Sequence, residues 1–226
     1  MTLRELQPWK VSDAVWVFFA GFAGAVIAAA FVSSDGITTR EVFAALVPGQ
    51  MGATILAVVV ISPRREQLPL RFASRDSLGL LVGAGLQLGL SLVMGVLITL
   101  FFGDDAPTQE IVDQATEALG AGEVGLVVLG AGLLAPLAEE LLFRGVLLQA
   151  LLRRWNERVA YWGSAGAFAV VHLLDPNAIL TVPTLFIVGL VLARQALDTG
   201  RLGKPILTHV GFNLISVIAI FVTATS

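Results

Sequence analysis

The chain has 226 residues, 56% of them hydrophobic and only 14% charged, and a mean hydropathy of +0.85. Soluble domains carry about a quarter charged residues, so water is excluded as the solvent for most of this chain and lipid takes its place. The net charge of −3 arises from acidic and basic residues segregated along the sequence, with no basic surface for nucleic acid, and zero cysteines excludes disulfides, thiolate metal sites and a cysteine nucleophile.

Apolar runs at residues 11–32, 42–62, 78–102, 124–152, 159–174, 178–197 and 206–223 predict seven transmembrane helices, since about 20 residues cross ~30 Å of hydrocarbon. The predicted class is all-α, a polytopic transmembrane helix bundle forming a single membrane domain over residues 1–226. The first run ends in Ala28, Ala29 and Ala30 in the manner of a secretory signal. It is longer than the ~7–15 residues of a signal core and is read as a span. Pro48-Gly49 in the second run and Pro183 in the sixth predict kinks. In the third run, Gly79 with Gly83 and Gly85 with Gly89 have the spacing that lets helices approach closely. Residues 107–119, apolar at Ile111, Val112, Ala115 and Leu119 and stopped by Gly120, predict a short helix outside the membrane.

Apart from Arg40 and Arg144, every Lys and Arg falls in or beside alternate loops: Arg4 and Lys10, then Arg64, Arg65, Arg71 and Arg75, then Arg153, Arg154 and Arg158, then Arg194 at the end of the sixth run with Arg201 and Lys204. By the positive-inside rule this predicts a cell-membrane protein with a cytoplasmic N-terminus and, for seven spans, an external C-terminus.

The fourth run contains Glu139, Glu140 and Arg144 in the middle of an apolar helix. A charge there costs at least ~2.5–3.5 kcal/mol on insertion scales, so this face must meet a partner or a wet cavity. Glu140 and Arg144, four residues apart, share a face and are expected to pair, whereas Glu139 lies roughly 100° around the helix and stays free to meet water. An Arg-paired Glu140 would then orient a site in which Glu139 accepts a proton from water.

The only two histidines, His172 and His209, also lie in predicted spans, each with a neighbour one turn away: Phe168 before His172, as an aromatic wall and substrate contact, and Asn213 after His209. At ~1.5 Å per residue, Glu139 and His172 lie about equally deep, ~20 Å from the basic loops. His209 disagrees, only ~8 Å beyond Lys204 by the same rise. Either the loop containing Gly200, Gly203 and Pro205 dips into the bundle, or equal straight helices are the wrong picture. Polar glue between helices, a proton-coupled transporter relay and a non-catalytic immunity or scaffold protein are the competing readings of these residues.

Three short motifs in this order, Glu139-Glu140 with Arg144, Phe168 with His172, and His209 with Asn213, resemble the CPBP (CAAX prenyl protease and bacteriocin-processing, or ABI) family of intramembrane proteases. The resemblance covers residues 124–223. It implies a bundle often read with eight helices and an endopeptidase acting on a membrane-associated or lipidated peptide. It further implies that Glu139 and His172 activate water, that Glu140 and Arg144 support them, and that His209 and Asn213 stabilise the oxyanion. Two mechanisms stay open. Glu139, His172 and His209 would supply three zinc ligands with a fourth position for water, or the same groups would act without metal, which is the preferred expectation. The richness in Ala, Val, Leu and Gly suggests a bacterial source.

Overall fold

The computed structural model describes residues 8–32, 38–61, 68–103, 124–174 and 176–225. The short helix expected at 107–119 lies outside the described residues. Seven helices follow in chain order: α1 (Val11–Ala29), α2 (Val42–Ile61), α3 (Leu78–Phe102), α4 (Val124–Arg154), α5 (Glu157–Val171), α6 (Val182–Thr199) and α7 (Gly203–Thr225). Five stretches are long and apolar enough to cross a membrane: Val11–Ala29, Val42–Ile61, Ser74–Phe101, Val124–Arg154 and Ile179–Thr199. Their outward faces carry large apolar side chains, Trp16 at 71% exposure and Leu92 at 71% among them, as lipid contact requires. The protein is an all-α membrane helix bundle.

The helix ends follow from local chemistry. The Lys10 backbone N–H donates to Asp13 Oδ2 at 2.7 Å to start α1, and Asn156 Oδ1 accepts from the Val159 N–H at 2.9 Å to start α5. Gly200 ends α6 in the left-handed region at φ 66°, which a residue with a Cβ rarely adopts. Of the two prolines expected as kinks, Pro183 stands in the first turn of α6 behind a 3-10 turn at Pro176–Thr181, where no intrahelical N–H partner is needed. Pro48 lies inside α2, where the wide π-type turns at Val42–Leu46 pass into the regular helix and its missing N–H leaves a gap in the ladder.

Helix α4 is the hub, packed against α1, α2, α5, α6 and α7, while the pairs α1–α2, α3–α7 and α5–α6 close around it. Half of its most apolar window is buried, against 6% for α3, which faces outward. Two stretches of α4, Val128–Leu134 and Leu141–Leu147, widen into π turns, a distortion common where helices carry function.

The seam between α3 and α7 rests on glycine. A Cβ at Gly83 would collide with the Thr208 carbonyl and the Phe212 amide, and one at Gly79 would press on the Lys204 carbonyl at 2.8 Å. Gly85 and Gly89 differ from expectation: among the described residues a Cβ at either meets nothing within 4 Å, so this second pair touches no described helix. Gly83→Leu is therefore expected to lower stability by about 1–3 kcal/mol through overpacking, while Gly85→Leu leaves it nearly unchanged, as thermal unfolding in detergent would measure. Equal losses would disprove the seam.

The connection from α6 to α7 lies inside the bundle. Leu202 is fully buried in the main apolar core, its N–H donates to the Pro69 carbonyl at 2.8 Å, and the Gly203 N–H donates to the Arg71 carbonyl at 3.1 Å. Arg201 closes this corner with a two-pronged bond to Asp76, Nε to Oδ2 at 3.0 Å and Nη2 to Oδ1 at 2.8 Å, and that bond raises the guanidinium pKa above its ordinary value. An inward connection accounts for the short run between Lys204 and His209.

Candidate active site

The two adjacent carboxylates of α4 have different surroundings. Glu140 and Arg144 are both fully buried, and Arg144 Nη1 donates to Glu140 Oε1 at 2.8 Å, the pairing expected from their spacing. Arg144 Nη2 donates in turn to the Gly189 carbonyl of α6 at 3.0 Å. Gly189 suits that place because α5 passes so close that its missing Cβ would lie 3.1 Å from the Ala165 Cα. Glu139 keeps 19% of its side chain exposed and faces a cavity of about 320 Å³.

His209 brings α7 to both carboxylates. Its Nδ1 meets Glu140 Oε1 at 3.0 Å and its Nε2 lies 3.5 Å from Glu139 Oε2. Because Glu140 Oε1 already accepts from Arg144, the ionised carboxylate takes the proton of His209 Nδ1 as a second donor, which fixes the ring.

His172 arrives differently from expectation. Helix α5 ends at Val171, and His172 caps it at the head of a 3-10 turn, His172–Leu174. Its Nδ1 lies 2.7 Å from the Phe168 carbonyl. A carbonyl only accepts, so Nδ1 carries a proton, and in the neutral ring Nε2 keeps a lone pair. His172 lines the same cavity as Glu139, together with Phe18, Gln50 and Thr54 of α1 and α2.

Phe168, expected at the substrate, is fully buried and absent from the cavity lining. Its ring stands edge-on to His172 at 5.0 Å and to His209 at 5.4 Å, and the Arg144 guanidinium lies 4.7 Å from its centre. The aromatic side chain thus packs against the two imidazoles and the cation. Asn213, expected as an oxyanion donor, gives Nδ2 to the Ala131 carbonyl at 2.7 Å, in the first widened stretch of α4. It ties α7 to α4 and does not line the cavity.

Glu139, His172 and His209 are not arranged as a zinc set. Among the described residues no three His, Asp or Glu side chains are grouped to hold a metal ion. The Nδ1 of His209 is turned to Glu140, and its ring and that of His172 both abut Phe168. As they stand, these donors do not fit the three-ligand site.

The Gly189 and Ala131 carbonyls leave no trace in the residue pattern, since a backbone acceptor has no residue signature. Gln50 and Thr54 carried a signal that went unread: polar side chains four apart in an apolar run, on the helix face later found at the cavity.

Residues 122–215 match the family model described as type II CAAX prenyl endopeptidase Rce1-like. A protein of Escherichia coli, described as an uncharacterized 24.3 kDa protein, is 35% identical over 89 residues, which is 38% of this chain and 41% of the relative. The alignment thus spans well under two thirds of either chain. No solved structure matches. The family match takes in Glu139, Glu140, Arg144, Phe168, His172, His209 and Asn213, whereas the α1 and α2 walls of the cavity lie outside it.

Proposed function

Because the chain belongs to the CPBP family of intramembrane proteases, with its type II CAAX prenyl endopeptidase match over residues 122–215, we propose that it hydrolyses a peptide bond in a membrane-associated or lipidated peptide. The observation that carries this reading is the division between two neighbouring carboxylates: Glu140 buried and held by Arg144 and His209, Glu139 part-exposed on a cavity shared with His172.

In this mechanism the Glu139 carboxylate takes one proton from a water molecule while the lone pair on His172 Nε2 accepts the hydrogen bond of the other. The water oxygen bonds to the peptide carbon, and the carbonyl electron pair moves onto its oxygen. When that pair returns, the C–N bond breaks and the amine nitrogen takes the proton that Glu139 removed. Glu140, Arg144, His209 and Phe168 hold the geometry, and Asn213 keeps α7 against α4. Fixing these groups beforehand spares the reaction the cost of ordering them.

The test is cleavage of an apolar peptide in proteoliposomes, offered with and without a prenyl group on a cysteine near its C-terminus, with products weighed by mass spectrometry. A single cut in at least one peptide is expected, slowed at least ~10²-fold by His172→Ala. Both peptides remaining whole, with ion flux that depends on the same histidine, would replace the hydrolase by a carrier.

A further inference from the structure

A second cavity, also of about 320 Å³, lies where the head of α1 meets the tail of α4. Trp9, Lys10 and Val11 line it from one side, and Arg153, Arg154 and Trp155 from the other. Three of these side chains are cationic and no carboxylate lines the space. Among the described residues none of the three cations forms an ion pair. The nearby Asp13 carboxylate accepts from the backbone N–H of Lys10. Arg153 Nη1 donates to the Pro8 carbonyl at 3.2 Å, and the Arg154 guanidinium lies 5.1 Å from the centre of the Trp155 ring. Both contacts hold a guanidinium at the cavity and leave its charge unbalanced.

Helix electrostatics explains only part of this cluster. Arg153 and Arg154 stand in the last turn of α4, the negative end of a helix, where cations are favourable. Lys10 precedes the first turn of α1, the positive end, where a cation is not. Like charges gathered around one space repel, and a bound anion relieves them. Trp9 adds a neutral donor. It is 1% exposed, and its indole Nε1–H has no hydrogen-bond partner among the described residues, a costly state for a buried polar group.

We infer that this cavity binds the phosphate of an anionic phospholipid, with Lys10, Arg153 and Arg154 supplying charge and Trp9 a hydrogen bond. The place favours a lipid over a soluble anion. The cavity sits at the ends of two membrane-spanning stretches, the level of phospholipid headgroups, and the half-exposed Trp155 suits that interface. Along α1 from it, Val15, Trp16 and Phe19 face outward as a surface for acyl chains. Basic pockets between spans recognise lipid phosphates in this way. The inference is independent of the hydrolase reading, since none of these residues lines the cavity of Glu139 and His172.

The experiment takes the full chain, stripped of lipid in a neutral detergent, and adds phosphatidylglycerol, phosphatidylcholine or inorganic phosphate. Native mass spectrometry counts bound molecules, and thermal unfolding reads the stabilisation. One retained phosphatidylglycerol and a saturable rise in unfolding temperature are expected, with neither from the other two additives. Lys10→Gln with Arg154→Gln, which spares the Arg153 bond to Pro8, is expected to weaken binding ~30-fold, about 5-fold for each cation. Trp9→Phe keeps the ring, removes the N–H and is expected to cost at least ~10-fold. Arg71→Gln with Arg158→Gln removes two charges that do not line the cavity and is expected to stay within threefold of wild type. Equal weakening in the two double variants would overturn the site in favour of a diffuse basic surface. Stabilisation by inorganic phosphate or phosphatidylcholine as large as that by phosphatidylglycerol would overturn the anionic lipid as its ligand.

Discussion

Glu139→Gln is expected to reduce turnover by about 10²–10⁴-fold while leaving thermal unfolding unchanged, the range that a positioned general base supplies. The amide keeps the length and shape of the carboxylate, so the packing of α4 against α7 is preserved and only basicity is lost. Its surroundings favour a clean result, because Glu139 retains 19% exposure and no guanidinium among the described residues is paired with it. Single-turnover cleavage of a bound peptide measures the chemical step directly. Residual turnover within tenfold of wild type would move the base from Glu139 to His172.

Arg144→Met is expected to be the most damaging change to the fold, about 3–5 kcal/mol, because it strands a buried carboxylate. Glu140 Oε1 would keep His209 alone, the Gly189 carbonyl would lose its donor, and the cation against Phe168 would vanish. Arg144→Lys does not rescue it, since one ammonium cannot reproduce the planar fork that reaches Glu140 and Gly189 together. The double variant Arg144→Met with Glu140→Leu is expected to recover much of the stability, as apolar replacements of buried ion pairs often do. It should stay inactive, because His209 loses its anchor. Unfolding temperatures of the three variants in one detergent decide the matter, and a single Arg144→Met as stable as wild type would show the pair to be structurally idle.

Much of this was legible in the sequence for identifiable reasons. Helices show as apolar runs, and each of the seven runs holds a helix among the described residues, five of them in stretches long and apolar enough to cross a membrane. The Glu140–Arg144 bond follows from helical spacing alone, four residues apart on one face. What escaped was set by contacts between helices. Gly79 and Gly85 stand in identical local patterns, and only the course of α7 decides which one touches anything. Asn213 offers the same amide whether it meets a substrate or the Ala131 carbonyl. His172 is expected inside the fifth span because nothing in the run around it announces the end of α5 at Val171. No site residue is expected on α2, because its polar pair is modest beside the charges of α4.

The seam at Gly83 has a consequence for chemistry some distance away. The carbonyl that crowds it belongs to Thr208, the residue next to His209. An outer helix that touches no reacting group therefore acts as the gauge block of the centre: its thickness at one glycine sets how far the imidazole reaches. Hydrogen bonds from nitrogen to oxygen tolerate only a few tenths of an ångström about ~2.9 Å. The width of a single methyl group at this buried seam is thus expected to draw that ring away from its carboxylates.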